Sequence, residues 1–126
     1  MRLDPLYHWA PMDRRRGILT GGLVPYSHPV VHLGEGEEQR LAYPYVCLGT
    51  TPSCAWGLSG GSRAGLVDEY DGWDLWQVRL SKRADVEVVP MWGWEVQEVR
   101  VRTAITADSV WFVATRTSQA AGEVHP

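Results

Sequence analysis

The sequence predicts an α+β domain, with two short helices accompanying about six mainly antiparallel strands. Three observations carry this reading. Short apolar pulses recur at 6–9, 45–48, 74–80, 86–89, 96–101 and 110–113, and Pro, Gly or a polar turn closes most of them. Helix-start signals at Asp13 and at Thr51-Pro52 follow two of these pulses. The chain has 126 residues, 44% hydrophobic and 21% charged, which suits one domain with one sizeable core.

In chain order, the apolar strand Leu6-Tyr7-His8-Trp9 stops at Pro11. Asp13 offers an N-cap oxygen, and 14–20 give two helical turns with Ile18 and Leu19 on the buried side. Gly21 and Gly22 supply a positive φ where that helix ends, and Leu23 and Pro25 lead away extended. Residues 29–33 read as a short strand or extended loop, and 35–40 as a solvated turn. After the strand at 45–48, Thr51 caps a second helix over 53–58 with Ala55 and Trp56 inward. Pro52 takes its first position, where a missing N–H costs nothing. Residues 59–62 connect flexibly and 65–72 form an acidic loop. From Leu75 the chain alternates apolar and polar, predicting a half-buried strand over 74–80. A strand at 86–89 ends at Pro90, and 91–94 make an aromatic turn. In 96–101, Val99 and Val101 point one way while Glu98 and Arg100 point the other. Thr106-Ala107-Asp108 turns into the last strand. The domain spans 1–116, and 117–126 is expected to be a disordered tail.

Several function classes are disfavoured. A net charge of -3 argues against a protein held to nucleic acid chiefly by phosphate neutralisation, although Arg14, Arg15 and Arg16 form a basic cluster. No stretch approaches the roughly 20 apolar residues a membrane helix needs, and the N-terminus lacks a secretory core. Cys47 and Cys54 stand outside zinc or redox spacings and are expected reduced in a cytoplasmic protein. No metal triad, P-loop or dinucleotide glycine fingerprint is present. Eleven arginines against the single Lys82, with no asparagine, suggest a GC-rich coding sequence of bacterial or phage type.

Two stretches at opposite ends of the chain carry a resemblance. Tyr7, His8, Ile18, Leu19, Gly22, Leu23 and Pro25 stand at the spacings of the opening motif of the ADP-ribosyltransferase fold. Glu98, followed by Ile105 and Val110, is similar to its closing motif. Strand 45–48 with Gly49-Thr50-Thr51-Pro52 resembles the second motif, beneath the nicotinamide ribose. The chain departs from the pattern at Ala10, where a hydroxyl residue is usual, and at Thr106, where proline is common. The resemblance implies two packed, mainly antiparallel sheets with NAD bound as a substrate in the cleft between them. It also implies transfer of ADP-ribose to a protein or nucleic-acid acceptor, or to water. Within the family the pattern looks closest to compact bacterial and phage forms, including nucleic-acid-modifying toxins and RNA 2′-phosphotransferases.

On this reading Glu98 is the catalytic carboxylate, stabilising positive charge that builds on the ribose as the nicotinamide bond breaks. His8 is the principal NAD-binding residue, and Thr50, Thr51, Tyr45 and Arg14 complete the binding set, with Tyr43 and Tyr70 as other stacking candidates. Plainer readings stand beside each. His8 can be a satisfied core residue, Glu98 a cross-strand partner of an arginine, Thr50 and Thr51 capping residues, and the arginine run a solvated helix face. Glu95 is a second choice of carboxylate. The alternative function is a catalytically inactive nucleotide-binding or protein-interaction module on the same fold.

Overall fold

The computed structural model describes residues 4–25, 45–58, 70–90 and 97–117. The expectations for 29–33, 35–40, 59–62 and 91–94, and for Tyr43 and Glu95, lie outside the described residues. In chain order the elements are β1 (Leu6–Pro11), α1 (Arg15–Gly21), β2 (Val46–Gly49), α2 (Pro52–Leu58), β3 (Gly72–Val78), β4 (Val86–Pro90), β5 (Gln97–Val101) and β6 (Val110–Thr117). Thr117, expected as the start of a tail, is the last residue of β6.

The described strands form one antiparallel sheet in the order β4-β5-β2-β1-β3-β6, not the two packed sheets expected. The physical reason is that β1 finds partners on both its edges, so the two groups of strands join side by side. Alternation in a sequence reports which face a residue takes and is silent on which edge pairs with which. The join is narrow. β1 is in register with β3 along its whole length, from Leu6↔Val78 to Pro11↔Trp73, but meets β2 at Tyr7↔Gly49 alone. A seam therefore divides the sheet into β4-β5-β2 and β1-β3-β6.

Each face has its own apolar cluster. Leu6, Ala10, Val46, Leu48, Trp76, Val78, Val99 and Val101 pack on one face beneath Ile18 of α1. On the other, Trp9, Trp73 and Leu75 pack with Ala55 of α2. β3 is consequently buried on both faces, where its alternation predicted one.

Helix α1 differs from expectation at its start and its buried side. A 3-10 turn over Met12–Arg14 precedes it, so Asp13 lies inside that turn and makes no capping bond. Ile18 is buried while Leu19 is 57% exposed. Successive helical residues are about 100° apart, so a seven-residue helix lying on a sheet buries only one of two neighbours. Its end is as expected: Gly22 has φ 77° and donates to the Ile18 carbonyl. A Cβ there would run into the Ile105 carbonyl, because Leu23 and Ile105 exchange two backbone hydrogen bonds of 2.9 and 2.7 Å. No described helix is long and apolar enough to cross a membrane.

Candidate functional site

Three successive residues of β1 hold the seam, each differently. Tyr7 supplies the backbone register with Gly49. His8 reaches across with its side chain, Nδ1 lying 2.8 Å from the Cys47 carbonyl oxygen. Trp9 donates its indole N–H to the Pro52 carbonyl at 2.9 Å, tying β1 to the first turn of α2. Because a carbonyl only accepts, the His8 tautomer is the one protonated at Nδ1.

His8 is 6% exposed, and burial lowers its pKa from 6.5 to about 4. The Cys47 hydrogen bond works against that shift, and the nearby positive charge of Arg14 adds to it. The imidazole is therefore neutral at physiological pH. Beside it across β3 stands Trp76, whose Nε1–H has no acceptor among the described residues.

Glu98 occupies β5 opposite Gly49 and is 4% exposed. Its carboxylate accepts a hydrogen bond from the Cys47 thiol at 2.8 Å and lies 3.2 Å from Nε of Arg100. Cys47 thus meets both predicted site residues, His8 through its carbonyl and Glu98 through its sulfur. The two do not share a face. Register puts His8 with Leu48 and Trp76 on the α1 side, and puts Glu98 with Gly49 and Tyr7 on the α2 side. The carboxylate and the imidazole approach the seam from opposite sides.

Gly49 explains how the α2 side closes over it. A Cβ on Gly49 would lie 2.6 Å from the Ala55 nitrogen and 2.8 Å from its Cα, so the helix sits directly on the glycine. Thr51 caps that helix, its Oγ1 accepting from the Cys54 N–H at 3.0 Å, with Pro52 at the first position as expected. Thr50 forms the half-buried bend before it. Tyr45 is half-buried, with the Arg100 and Arg102 guanidinium carbons 5.4 and 5.8 Å from its ring centroid. Its ring stacks on arginine. Tyr70 stands on the same side of the sheet, in an aromatic group with Trp73 (5.3 Å), Trp56 and Trp9. Arg116 lies 4.2 Å over Trp56.

Sequence reasoning missed three participants. Spacing speaks only to the redox state of Cys47, and the apolar pulse only to the strand position of Trp9; neither signals a tie across the seam. The third is the Arg15–Asp74 pair: Asp74 is fully buried and accepts two hydrogen bonds of 2.8 Å from Arg15 and one of 2.8 Å from Thr115. The same contact raises the Arg15 pKa above its ordinary value. A carboxylate between Trp73 and Leu75 was a signal that a cation must be near, but three consecutive arginines left its identity open.

Among the described residues no three His, Cys, Asp or Glu side chains stand close enough to hold a metal ion. Comparison with protein-family models, curated proteins and solved structures finds no match for this chain.

Proposed function

We propose that the protein is an NAD-dependent ADP-ribosyltransferase in which Glu98 is the catalytic carboxylate. One observation supports it above the others: the three stretches that resemble the family meet. Leu23 of the first bonds Ile105 of the third, and Gly49 of the second lies opposite Glu98 of the third. The narrow seam between the half-sheets is where an NAD cleft would open, in place of a cleft between separate sheets.

In this reading the bond between nicotinamide nitrogen and ribose C1′ breaks, and nicotinamide leaves with the electron pair. A bond from C1′ to an acceptor oxygen or nitrogen forms, and the acceptor's proton passes to a base. Glu98 stabilises the positive ribose, an effect strengthened where water is excluded. Arg100, 3.2 Å away, holds the carboxylate in place. Thr50 and Thr51 border the substrate at the head of α2 and Tyr45 flanks it, while His8, with Arg14 near it, fixes the geometry of the seam from the other face.

Incubation with NAD tests this directly. Nicotinamide should be released by the wild type and not by Glu98→Gln, with matching melting curves. Equal release from both would remove Glu98 from the chemistry.

A second reading is a non-catalytic nucleotide-binding or interaction module on the same scaffold. The observation favouring it is that Glu98 is already held by Cys47 and Arg100 on the face away from His8. Calorimetric NAD binding without nicotinamide release would select it.

A further inference from the structure

The two edges of the sheet are unlike. β4 is five residues long, carries Glu87 hydrogen-bonded to Arg102, and ends on Pro90, features that discourage a further strand. β6 runs for eight residues, and all but Val110 are exposed. Trp111, Phe112 and Val113 remain 46, 45 and 47% exposed, and no described segment pairs with the outer side of the strand. Its one charged side chain is Arg116.

We propose that β6 is a homodimer interface, pairing antiparallel with β6 of a second copy so that the two sheets become continuous. The strand is polarised, aromatic at one end (Trp111, Phe112) and hydroxyl and cationic at the other (Thr115, Arg116). Antiparallel pairing about its midpoint sets Trp111 opposite Arg116 of the second copy and Phe112 opposite Thr115. That adds an aromatic ring of the second copy beside an arginine already 4.2 Å over Trp56 in its own chain, and keeps the two arginines apart. Parallel pairing would set Arg116 against Arg116.

Faces must also agree, and here the irregularity in β6 matters. Phe112 opposes Trp76 and Ala114 opposes Leu75, so Val113 is an extra residue in the ladder. In a regular strand Trp111 and Arg116 would point to opposite faces. With the bulge they share one face, opposite Gln77 and Trp73, while Phe112 and Thr115 share the other, opposite Trp76 and Asp74. The bulge makes the strand self-complementary.

The exposed parts of the three large side chains come to roughly 300 Å² per copy, so with the rest of the strand the pairing reaches at most about 1,000 Å² over both copies, the low end for a specific interface. An isologous two-fold contact of this kind closes on itself and does not propagate.

Sedimentation equilibrium over a wide concentration range tests the proposal, with Val113→Lys placing two like charges at the centre of the pairing. The wild type should dimerise, and the variant should dissociate about tenfold more readily or beyond with an unchanged monomer melting curve. Amide exchange in β6 of the unmodified protein should slow as concentration rises, an arm that does not depend on the variant folding. A wild type that stays monomeric throughout overturns the proposal, as does a dimer whose β6 amides exchange equally fast at every concentration. Binding of another protein's extended peptide along β6 by a monomer would likewise assign the edge elsewhere.

Discussion

A single hydrogen atom in place of a side chain decides whether α2 can lie where it does. Gly49 has helical backbone, the Ala55 nitrogen and Cα, within 3 Å of where its Cβ would be, and neither atom can swing aside as a flexible side chain would. Gly49→Ala must therefore displace the whole helix, with Trp56 and the Thr51 cap. We expect a loss of about 2–3 kcal/mol, the upper part of the range for overpacking, read from denaturant unfolding. Intrinsic tryptophan emission should change with it, because Trp56 contacts Trp9 and Trp73. A variant with wild-type stability and emission would show that α2 lies farther from Gly49 than 3 Å. Nothing in the sequence around Gly49 announced this. The Gly-Thr-Thr-Pro run was legible as a strand end and helix start, because capping chemistry is local, whereas the close approach of Ala55 is a fact of three dimensions.

At the scale of elements, α1 is held by its neighbours and weakened by its own composition. Its seven residues are too few to be stable alone, and Gly17 lies in its interior. A Cβ at Gly17 would meet nothing within 4 Å. Gly17→Ala should stabilise the protein by roughly 0.5–1 kcal/mol through helix propensity, seen as a higher melting temperature, and a lower one would mean that α1 is not helical in solution. What anchors the helix is the contact of Arg15 with buried Asp74, shared with Thr115, and Ile18. The existence of α1, its glycine end and the inward Ile18 could all be read beforehand. Its start could not, because Asp13 qualifies equally as a cap or as part of a 3-10 turn, and the choice depends on where Arg15 finds its buried partner. The six strands were legible for the same local reason. Their order was not, since pairing partners are chosen by edges far apart in the chain.

At the scale of the molecule, the seam is where the two half-sheets meet, and its tie from the α1 side is a neutral imidazole. The His8 pKa falls from 6.5 to about 4 on folding, chiefly because burial disfavours the charged ring. Between those values the unfolded chain holds the proton and the folded protein does not. This contribution to stability is therefore complete above pH 6.5, is lost as the pH falls toward 4, and changes no further below it. The two values give a loss of about 2 kcal/mol by pH 5. His8→Gln separates this effect from the protonation of carboxylates, because the amide can still donate to the Cys47 carbonyl but carries no titrating group. Unfolding free energies at pH 7 and pH 5 should fall less in the variant than in the wild type, by about that amount. Equal losses in the two proteins would mean that the imidazole is hydrated in solution and that the half-sheets part more readily than the geometry of β1 implies.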